Sequence, residues 1–387
     1  MKIIVFCLAG FLVTPSFAQK KKSTQPQIIN VGMTPSDWNM TANEAEFINQ
    51  GGTKAIAIKP NKTAIVKNLL FENGTIEFDV VPIDKFSFIC YFRYESEKEN
   101  DLFYIRTGSA ANPNRKDGVQ YSPTQKGVLP WDLFEHYQRP VKKYFPQAEN
   151  HIKVIVSGAQ MLVFINDMTQ PVLEIPRLEG NVKKGALAFG GESIISNIKI
   201  LPDATGGLSP LAGFDPLAHD PNIIRDWKIS PNFKLPKGTE LTNENVPASD
   251  SAWSVIHAGY YALINISNFY GESKERRATW LKATINSDQE RSVKMNFGFG
   301  ANEEIWIFIN GQLVHLDKNF YRQPSMKEPE GRCSLQNSSF MLPLKKGKND
   351  LLVGISQIGG QFSGVDGWGI MARLVSLEGL EILSPEQ

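Results

Sequence analysis

Two carboxylates stand close together in the run 74-GTIEFDV-80. Glu77 and Asp79 are two positions apart in a segment with strand-like alternation, so both side chains are expected on the same face of a sheet. Carboxylate pairs on one sheet face are the groups with which many glycosidases cut sugar bonds. The alternative interpretation is that Glu77 and Asp79 form the solvated polar side of an ordinary strand.

A second group of residues has the side chains of a sugar-binding site. Flat aromatic rings stack on the C–H faces of sugars, and planar guanidinium or amide groups bond their hydroxyls and carboxylates. Tyr104 and Arg106 share one face of a predicted strand, while Phe103 and Ile105 take the other face. The predicted ligand-binding residues are Arg93, Tyr104, Arg106, Gln120, Tyr121 and Trp131.

Both groups also have a purely structural interpretation. In it, Arg93 and Arg106 pair with Glu77 and Asp79 across a sheet as structural ion pairs. A groove that binds a ligand can hold such pairs as well, so the structural and the ligand-binding interpretations do not exclude each other.

No spacing in the sequence indicates a metal centre or a nucleophilic triad. The histidines are scattered, and none forms the His-x-x-x-His or Glu-x-x-His spacing of a helical metal site. Ser157 and Ser363 precede glycines but lack the Gly-x-Ser-x-Gly elbow. Cys90 lies in an apolar strand-like run and is expected to be buried, the alternative being a disulfide with Cys333. Neither a metal ligand nor a cofactor is therefore predicted.

The N-terminus has the pattern of a secretory signal. Lys2 precedes the apolar run 3-IIVFCLAGFLV-13, which is too short to span a bilayer, and the small residues Ser16 and Ala18 place the predicted cleavage after Ala18. Residues 1–18 are therefore a predicted signal peptide, the alternative being an uncleaved anchor. The protein is expected to be secreted or periplasmic. No later segment approaches about 18 apolar residues, so no membrane span is predicted after cleavage.

The balance of charge excludes two classes of partner. The chain of 387 residues has 41 basic and 40 acidic side chains, and removal of Lys2 with the signal peptide makes the two numbers equal. A neutral chain has no electrostatic attraction for nucleic acid or for an anionic membrane surface.

The pattern along the chain predicts an all-β protein with two β-sandwich, jelly-roll domains. Short alternating runs, separated by Gly, Asn, Asp and Pro, are typical of antiparallel strands. Tight turns at 157-SGAQ-160 and at Asn310-Gly311 predict two hairpins. The segment 202–225 is rich in Pro, Gly and Asp and predicts a linker. The two predicted domains are residues 30–201 and residues 226–378.

The first domain carries family-like motifs. They are 73-NGTIEFDV-80, 91-YFRY-94, 103-FYIRTGSAANPNRKDGVQYSPTQKGVLPWDLF-134 and 151-HIKVIVSGAQMLVFINDMTQPVLEIP-176. With them, residues 40–201 resemble the concanavalin A-like lectin/glucanase fold, in its laminin-G and 3-keto-disaccharide hydrolase branch. Glucanases of this fold carry a further Glu shortly after the Glu-x-Asp pair, where this chain has Val81 or Pro82. The acid that protonates the leaving oxygen is thus missing, and Glu77 and Asp79 are catalytic candidates only if the protein is an enzyme.

The second domain has motifs of another kind, namely 305-IWIFINGQLVH-315, 342-LPLKKGKNDLLV-353 and 367-GWGIMARL-374. They resemble the galactose-binding-like jelly roll that is appended to glycoside hydrolases and esterases. Such modules bind sugars, bind proteins or merely pack against a neighbour. The resemblance also allows a structural calcium ion, with Asp317 and Asp366 as candidate ligands.

The leading hypothesis is non-catalytic binding of an extracellular or cell-wall carbohydrate by the six predicted ligand-binding residues. One alternative is a glycoside hydrolase, which the resemblance implies. Another alternative is a structural or scaffolding surface protein without a small ligand.

Overall fold

The computed structural model of the protein describes residues 27–83, 86–249, 252–360 and 364–385. The predicted signal peptide lies outside these ranges. The prediction of an all-β fold is confirmed, because the described strands assemble into four sheets whose strands pair antiparallel. Among the described residues, no helix has both the length and the apolar character needed to cross a bilayer.

Residues 29–202 supply the strands of the first sandwich. These strands are β1 (Ile29–Asn30), β2 (Trp38–Asn39), β3 (Ala45–Gln50), β4 (Thr53–Ile58), β5 (Thr63–Val66), β6 (Gly74–Pro82), β7 (Phe88–Ser96), β8 (Glu99–Ile105), β9 (Val119–Thr124), β10 (Gln138–Arg139), β11 (Asn150–Ser157), β12 (Gln160–Ile165), β13 (Leu173–Ile175), β14 (Ala186–Gly190) and β15 (Ser193–Pro202). One sheet has the order β13-β12-β11-β6-β15-β4-β3, with β1 also pairing with β15. The facing sheet has the order β10-β9-β8-β7-β14-β5-β2. A short helix α1 (Thr107–Ala110) separates β8 from β9.

Alternation along each strand builds the first core. In β6, Ile76, Phe78 and Val80 are fully buried between the two sheets, because successive side chains point to opposite faces. The hairpin predicted at residues 157–160 is confirmed: Ser157 faces Gln160 across the turn that joins β11 and β12.

Residues 226–383 supply the strands of the second sandwich. They are β16 (Asp226–Ile229), β17 (Phe233–Lys234), β18 (Ser254–His257), β19 (Ile264–Asn265), β20 (Arg277–Ser287), β21 (Arg291–Phe299), β22 (Glu303–Ile309), β23 (Gln312–Asn319), β24 (Ser338–Leu344), β25 (Gly347–Gln357), β26 (Gly369–Leu374) and β27 (Leu380–Leu383). The larger sheet has the order β18-β16-β20-β25-β22-β23, with β17 and β27 also pairing with β20, and the smaller has the order β19-β26-β21-β24. Helix α2 (Ile266–Tyr270) follows β19. The pairing of β27 extends this sandwich beyond residue 378.

The second hairpin prediction is also confirmed. Asn310 and Gly311 connect β22 to β23 with φ angles of 49° and 83°, which these two residue types tolerate better than others. Trp368 is fully buried in the core between the two sheets of the second sandwich.

The two sandwiches pack tightly against each other. The first hydrophobic core continues across the seam between them, and it includes Tyr260, Ala262, Leu263, Cys333 and Met371 from the second half of the chain. Beyond Pro202, where β15 ends, the predicted linker contains no strand, but it is bonded to the first sandwich. The Ser157 hydroxyl donates to the Leu208 carbonyl at 2.8 Å, and the Ala159 amide donates to the Pro210 carbonyl at 2.9 Å. The linker is therefore fixed along the β11–β12 turn.

A buried carboxylate joins the two sandwiches by hydrogen bonds. Asp132, in the first half of the chain, accepts one hydrogen bond from the Gly367 amide at 2.6 Å and one from the Ala301 amide at 2.5 Å. Beside it, Glu303 accepts from the amides of Gly300 and Gly369 at 2.8 and 2.9 Å. Burial, together with the neighbouring carboxyl groups, raises the pKa of Asp132 and of Glu303 above their ordinary values.

The two described cysteines are separate buried thiols, so the disulfide alternative is wrong for the described structure. Cys90 lies in β7 and Cys333 lies at the seam, and neither is bonded to another sulfur atom. Burial raises the pKa of both thiols far above the usual value.

Candidate functional site

Three of the predicted ligand-binding residues meet on the outer face of β8 and β9. Tyr104 lies directly opposite Gln120 in the antiparallel pair, and its hydroxyl donates to Gln120 Oε1 at 2.9 Å. Arg106 Nη2 donates to the same oxygen at 2.7 Å and to the Tyr104 hydroxyl at 2.9 Å. The Arg106 guanidinium also lies over the Tyr104 ring, 4.8 Å from its centroid. As predicted, Phe103 and Ile105 point the other way, into the core.

Gln120 connects this network to a fourth predicted residue, Trp131. The Gln120 side-chain amide donates to the Trp131 carbonyl at 2.6 Å and to the Phe134 carbonyl at 3.1 Å, which holds the loop after β9 against the sheet. The Trp131 ring contacts the second sandwich on two sides. Its indole N–H donates to Asp366 Oδ1 at 3.1 Å, and the Arg332 guanidinium lies 5.0 Å from its centroid.

These residues line a cleft between the two sandwiches with a volume of about 560 Å³. Tyr104, Arg106 and Trp131 lie in its wall, while Gln120 supports them from a fully buried position. The second sandwich closes the other side, mainly through the loop 320–337 between β23 and β24. The residues of that half that line the cleft are Tyr321, Arg322, Glu330, Arg332, Val365 and Asp366.

The cleft holds rings and charges in close contact. The Tyr321 ring packs edge-on against Trp131 at 5.2 Å between centroids, giving the cleft an aromatic corner. Asp117 accepts two hydrogen bonds from Arg115, both of 3.0 Å. Glu330 accepts from Arg332 Nη1 at 3.0 Å and lies 3.6 Å from Arg115 Nη1. The ion pair between Arg115 and Glu330 thereby links the loop 320–337 to the first sandwich.

Two carboxyl groups in the cleft have pKa values shifted in opposite directions. Burial opposes ionisation of Asp117, but the hydrogen bonds from Arg115 and the charges of nearby arginines outweigh it and hold its pKa below the ordinary value. Burial raises the pKa of Asp366, although hydrogen bonds from Asn302 and Trp131 oppose the shift. Opposed shifts of this kind divide two carboxyl groups into a base and an acid.

Arg93 and Tyr121 do not belong to this site, so their predicted place in the groove is wrong. Both are fully buried on the inner side of the sheet, where the Tyr121 hydroxyl donates to Asp101 Oδ1 at 2.6 Å and Arg93 Nη1 lies 3.9 Å from Asp101 Oδ2. Tyr121 follows Gln120 directly in β9, so it must take the opposite face. Arg93 lies where the register of β7 and β8 shifts and has a φ of 50°, which interrupts the alternation.

Glu77 and Asp79 lie elsewhere, on the outer face of β6 in the other sheet of the first sandwich. Asp79 binds His151 Nδ1 at 2.6 Å and accepts from Asn197 Nδ2 at 2.7 Å. Lys153 and Lys199 are the cross-strand neighbours of Glu77. The interpretation that Arg93 and Arg106 pair with these carboxylates across a sheet is wrong, because the strands concerned belong to different sheets.

The two calcium candidates already have protein partners. Asp317 accepts hydrogen bonds from Ser338 at 2.8 Å and lies 2.6 Å from Lys327 Nζ, and the donors around it hold its pKa below the ordinary value despite burial. Asp366 is bonded by Trp131 and Asn302. Within residues 27–83, 86–249, 252–360 and 364–385, no group of three or more His, Cys, Asp or Glu side chains is arranged to hold a metal ion. A structural calcium ion stays a prediction.

A larger cavity of about 620 Å³ opens elsewhere along the seam. Glu179 reaches into it, with the Tyr137 hydroxyl donating to its Oε1 at 3.3 Å and Arg177 Nε 3.5 Å away. Burial raises the pKa of Glu179 to about 7. We place the candidate site in the smaller cleft, because the predicted aromatic and guanidinium side chains gather there.

Sequence reasoning missed the half of the cleft that the second sandwich contributes. One signal for it is present in 319-NFYRQPSMKEPEGRCS-334, which combines two aromatic residues and two arginines in a long loop. Loops of this length inside a compact domain are uncommon and are often functional. Their contact with the first sandwich, however, depends on the packing of the two halves.

Comparison with known proteins gives only distant likenesses. No protein-family model matches the chain, and no curated protein matches it. Among solved structures, the carbohydrate-binding module CBM66 from Bacillus subtilis is 12% identical, with a TM-score of 0.32 over 42% of this chain and 95% of that one. A candidate glycosyl hydrolase from Parabacteroides distasonis is 14% identical, with a TM-score of 0.33 over 46% and 99%. A Bacillus subtilis protein of unknown function with a galectin-like fold is 12% identical, with a TM-score of 0.32 over 43% and 89%. Likenesses at this level identify no ligand.

Proposed function

We propose that this chain is a secreted or periplasmic protein that binds a glycan, without cutting it, in the cleft between its two sandwiches. One observation carries the proposal. The edge-on pair Trp131 and Tyr321 stands beside the Arg106–Gln120–Tyr104 network in a cleft of about 560 Å³. Rings supply stacking surfaces for sugar C–H groups, and a guanidinium group fixes the orientation of hydroxyls.

The cleft is also built to keep its shape when empty. Gln120 is fully buried and uses its amide and carbonyl groups to hold Arg106 and the Trp131 loop. Side chains fixed in this way lose little conformational freedom when a ligand arrives, which favours affinity.

The test is a glycan array on the protein from Gln19 to Gln387, followed by titration calorimetry on each hit. Tyr321→Ala removes one stacking ring and is expected to weaken binding at least about tenfold, or about 1.4 kcal/mol. Phe145→Ala is the matched control, because Phe145 is 50% exposed and lies outside the cleft. Unchanged affinity in Tyr321→Ala would contradict the proposed site. Absence of any glycan hit would favour the scaffolding alternative.

A glycoside hydrolase is the second candidate function. Asp117 and Asp366 are its candidate pair, because both line the cleft, whereas Glu77 and Asp79 lie in the other sheet of the first sandwich. In such a reaction protonated Asp366 gives its proton to the leaving oxygen. Asp117 takes a proton from the attacking water, whose oxygen bonds to the sugar carbon, so the hydrolysis balances.

Product analysis on any bound glycan separates the two functions. Glycan binding with no released products supports the non-catalytic proposal. Released products that disappear in Asp117→Asn, with binding retained, would replace it by the hydrolase.

The proposed location outside the cytoplasm rests on residues 1–18. Mass spectrometry of the protein recovered after export is expected to give a chain that begins at Gln19. A recovered chain that retains Met1–Ala18 would support the uncleaved anchor.

A further inference from the structure

The cleft has more positive than negative side chains. Its arginines are Arg106, Arg115, Arg322 and Arg332, and its carboxylates are Asp117, Glu330 and Asp366. The cleft thus has a formal excess of one positive charge, in a chain of 387 residues whose formal net charge is also +1.

Two of these arginines already have carboxylate partners. Arg115 binds both oxygens of Asp117 at 3.0 Å. Arg332 binds Glu330 at 3.0 Å and lies 3.9 Å from Asp117. These four side chains form a neutral group in which each carboxylate serves two arginines.

Among the described residues, the other two arginines are in no ion pair with a carboxylate, although the charge of Arg106 contributes to the lowered pKa of Asp117. Within the ranges that the structure describes, Arg106 donates to neutral acceptors, namely the Tyr104 hydroxyl, the Gln120 side chain and the Asp117 backbone carbonyl at 3.0 Å. Arg322 is exposed and lies over the ring of Tyr321, 5.2 Å from its centroid. In the described part of the chain, neither guanidinium has a carboxylate oxygen within 4.0 Å.

We propose that the glycan is acidic, and that the cleft takes a saccharide of the uronic acid class whose carboxylate binds Arg322 and whose rings stack at Trp131 and Tyr321. This inference rests on the proposed function and names its ligand class. A guanidinium matches the two oxygens of a carboxylate in one plane, and such charge-assisted bonds are about twice as strong as neutral ones. Arg106 adds a second positive charge deeper in the cleft, where water screens it less.

The experiment compares each acidic polysaccharide with its own neutral form. Polygalacturonate, alginate and hyaluronan are titrated against the protein from Gln19 to Gln387, before and after chemical reduction of their carboxylates to alcohols. Reduction removes the charge and keeps the sugar backbone. We expect the reduced form of the bound polymer to bind at least about tenfold more weakly, because hydrogen bonds to charged groups are the stronger ones.

The variant Arg322→Gln tests whether the preference for the acidic polymer arises in the cleft. The variant is expected to weaken binding of the acidic polymer about five- to tenfold and to leave binding of the reduced polymer unchanged, since only the charged pair is removed. Arg139→Gln is the matched control, because Arg139 is exposed and lies outside the cleft. Thermal unfolding of both variants checks that the fold is retained.

The possible outcomes separate the two proposals. Equal binding of acidic and reduced polymers, or hits on the glycan array limited to neutral or sulfated sugars, would overturn the acidic ligand class and leave glycan binding in place. If Arg322→Gln still prefers the acidic polymer over its reduced form, the proposed role of the cleft in this preference is overturned. No binding to any polymer or array glycan would overturn both proposals.

Discussion

The indole N–H of Trp131 donates a hydrogen bond of 3.1 Å to Asp366 Oδ1, and this bond joins the two sandwiches inside the cleft. A double-mutant cycle with Trp131→Phe and Asp366→Ala measures its contribution to stability. The combined loss is expected to be smaller than the sum of the single losses by about 0.5–1.5 kcal/mol in urea unfolding, because either change alone already removes the bond. Strictly additive losses would contradict a direct interaction.

Stability is expected to fall with rising pH through Glu179. Burial raises the pKa of this carboxyl from 4.5 to about 7, so the folded chain holds its proton more tightly than the unfolded chain. The resulting stabilisation is complete below about pH 4.5 and is lost as the pH rises through about 7. The side chain is only 15% exposed, so solvent screens the effect little.

Glu179→Gln isolates this contribution, since glutamine does not titrate. The difference in unfolding free energy between wild type and variant is expected to change by up to about 3 kcal/mol between about pH 4.5 and about pH 8, in favour of the variant at the higher pH. Wild type also contains Asp132 and Glu303 with raised pKa values. The difference between the two proteins, not the wild-type curve alone, is therefore the measurement. A constant difference would show that Glu179 ionises normally.

The buried pair of Arg93 and Asp101 is expected to matter far more than a pair at the surface. Arg93 is 1% exposed and Asp101 is fully buried. Arg93→Met leaves the Asp101 carboxylate without its cation, which costs about 3–5 kcal/mol in a buried setting. Lys234→Met is the control, because the Lys234–Glu275 pair is largely exposed, and it should cost less than about 1 kcal/mol. Equal effects in urea unfolding would contradict this ranking.

The thiols of Cys90 and Cys333 are expected not to react with thiol reagents in the folded protein. Both are buried, and burial raises the pKa of each thiol, so the reactive thiolate is scarce. In the protein from Gln19 to Gln387, a colorimetric thiol reagent should modify neither cysteine under native conditions and both in concentrated urea, without prior reduction. A requirement for reductant would indicate a disulfide.

Local sequence patterns were sufficient to predict the strands and hairpins. Ile76, Phe78 and Val80 take one face of β6 because alternation in an antiparallel sheet leaves no other choice. The Asn310–Gly311 turn follows from the conformations that its two residues tolerate. The pairing of Tyr104 with Arg106 on one face followed from the same period.

The remainder of the candidate site could not be predicted from the two-residue alternation of strands, because it depends on a register shift and on the packing of the two sandwiches. Arg93 turns into the core because the register of β7 and β8 shifts there. No residue type in this part of the sequence predicts that shift. Tyr321 and Arg332 reach Trp131 from about 200 positions away along the chain, through the packing of the two sandwiches. Long-range packing of this kind is set by the whole surface of each half.

The carboxylate of Asp132 belongs to one sandwich, yet both of its oxygens bond amides of the other, at Ala301 and Gly367. A side chain added at Gly367 would meet Leu133 of the first sandwich at 2.3 Å, so the fit on both sides of this contact is tight. If recombination moved the second sandwich into another gene, the amides of Ala301 and Gly367 would lose their hydrogen-bond acceptor. The two halves are therefore expected to be inherited as one unit, and a fusion protein that borrows either half should carry both.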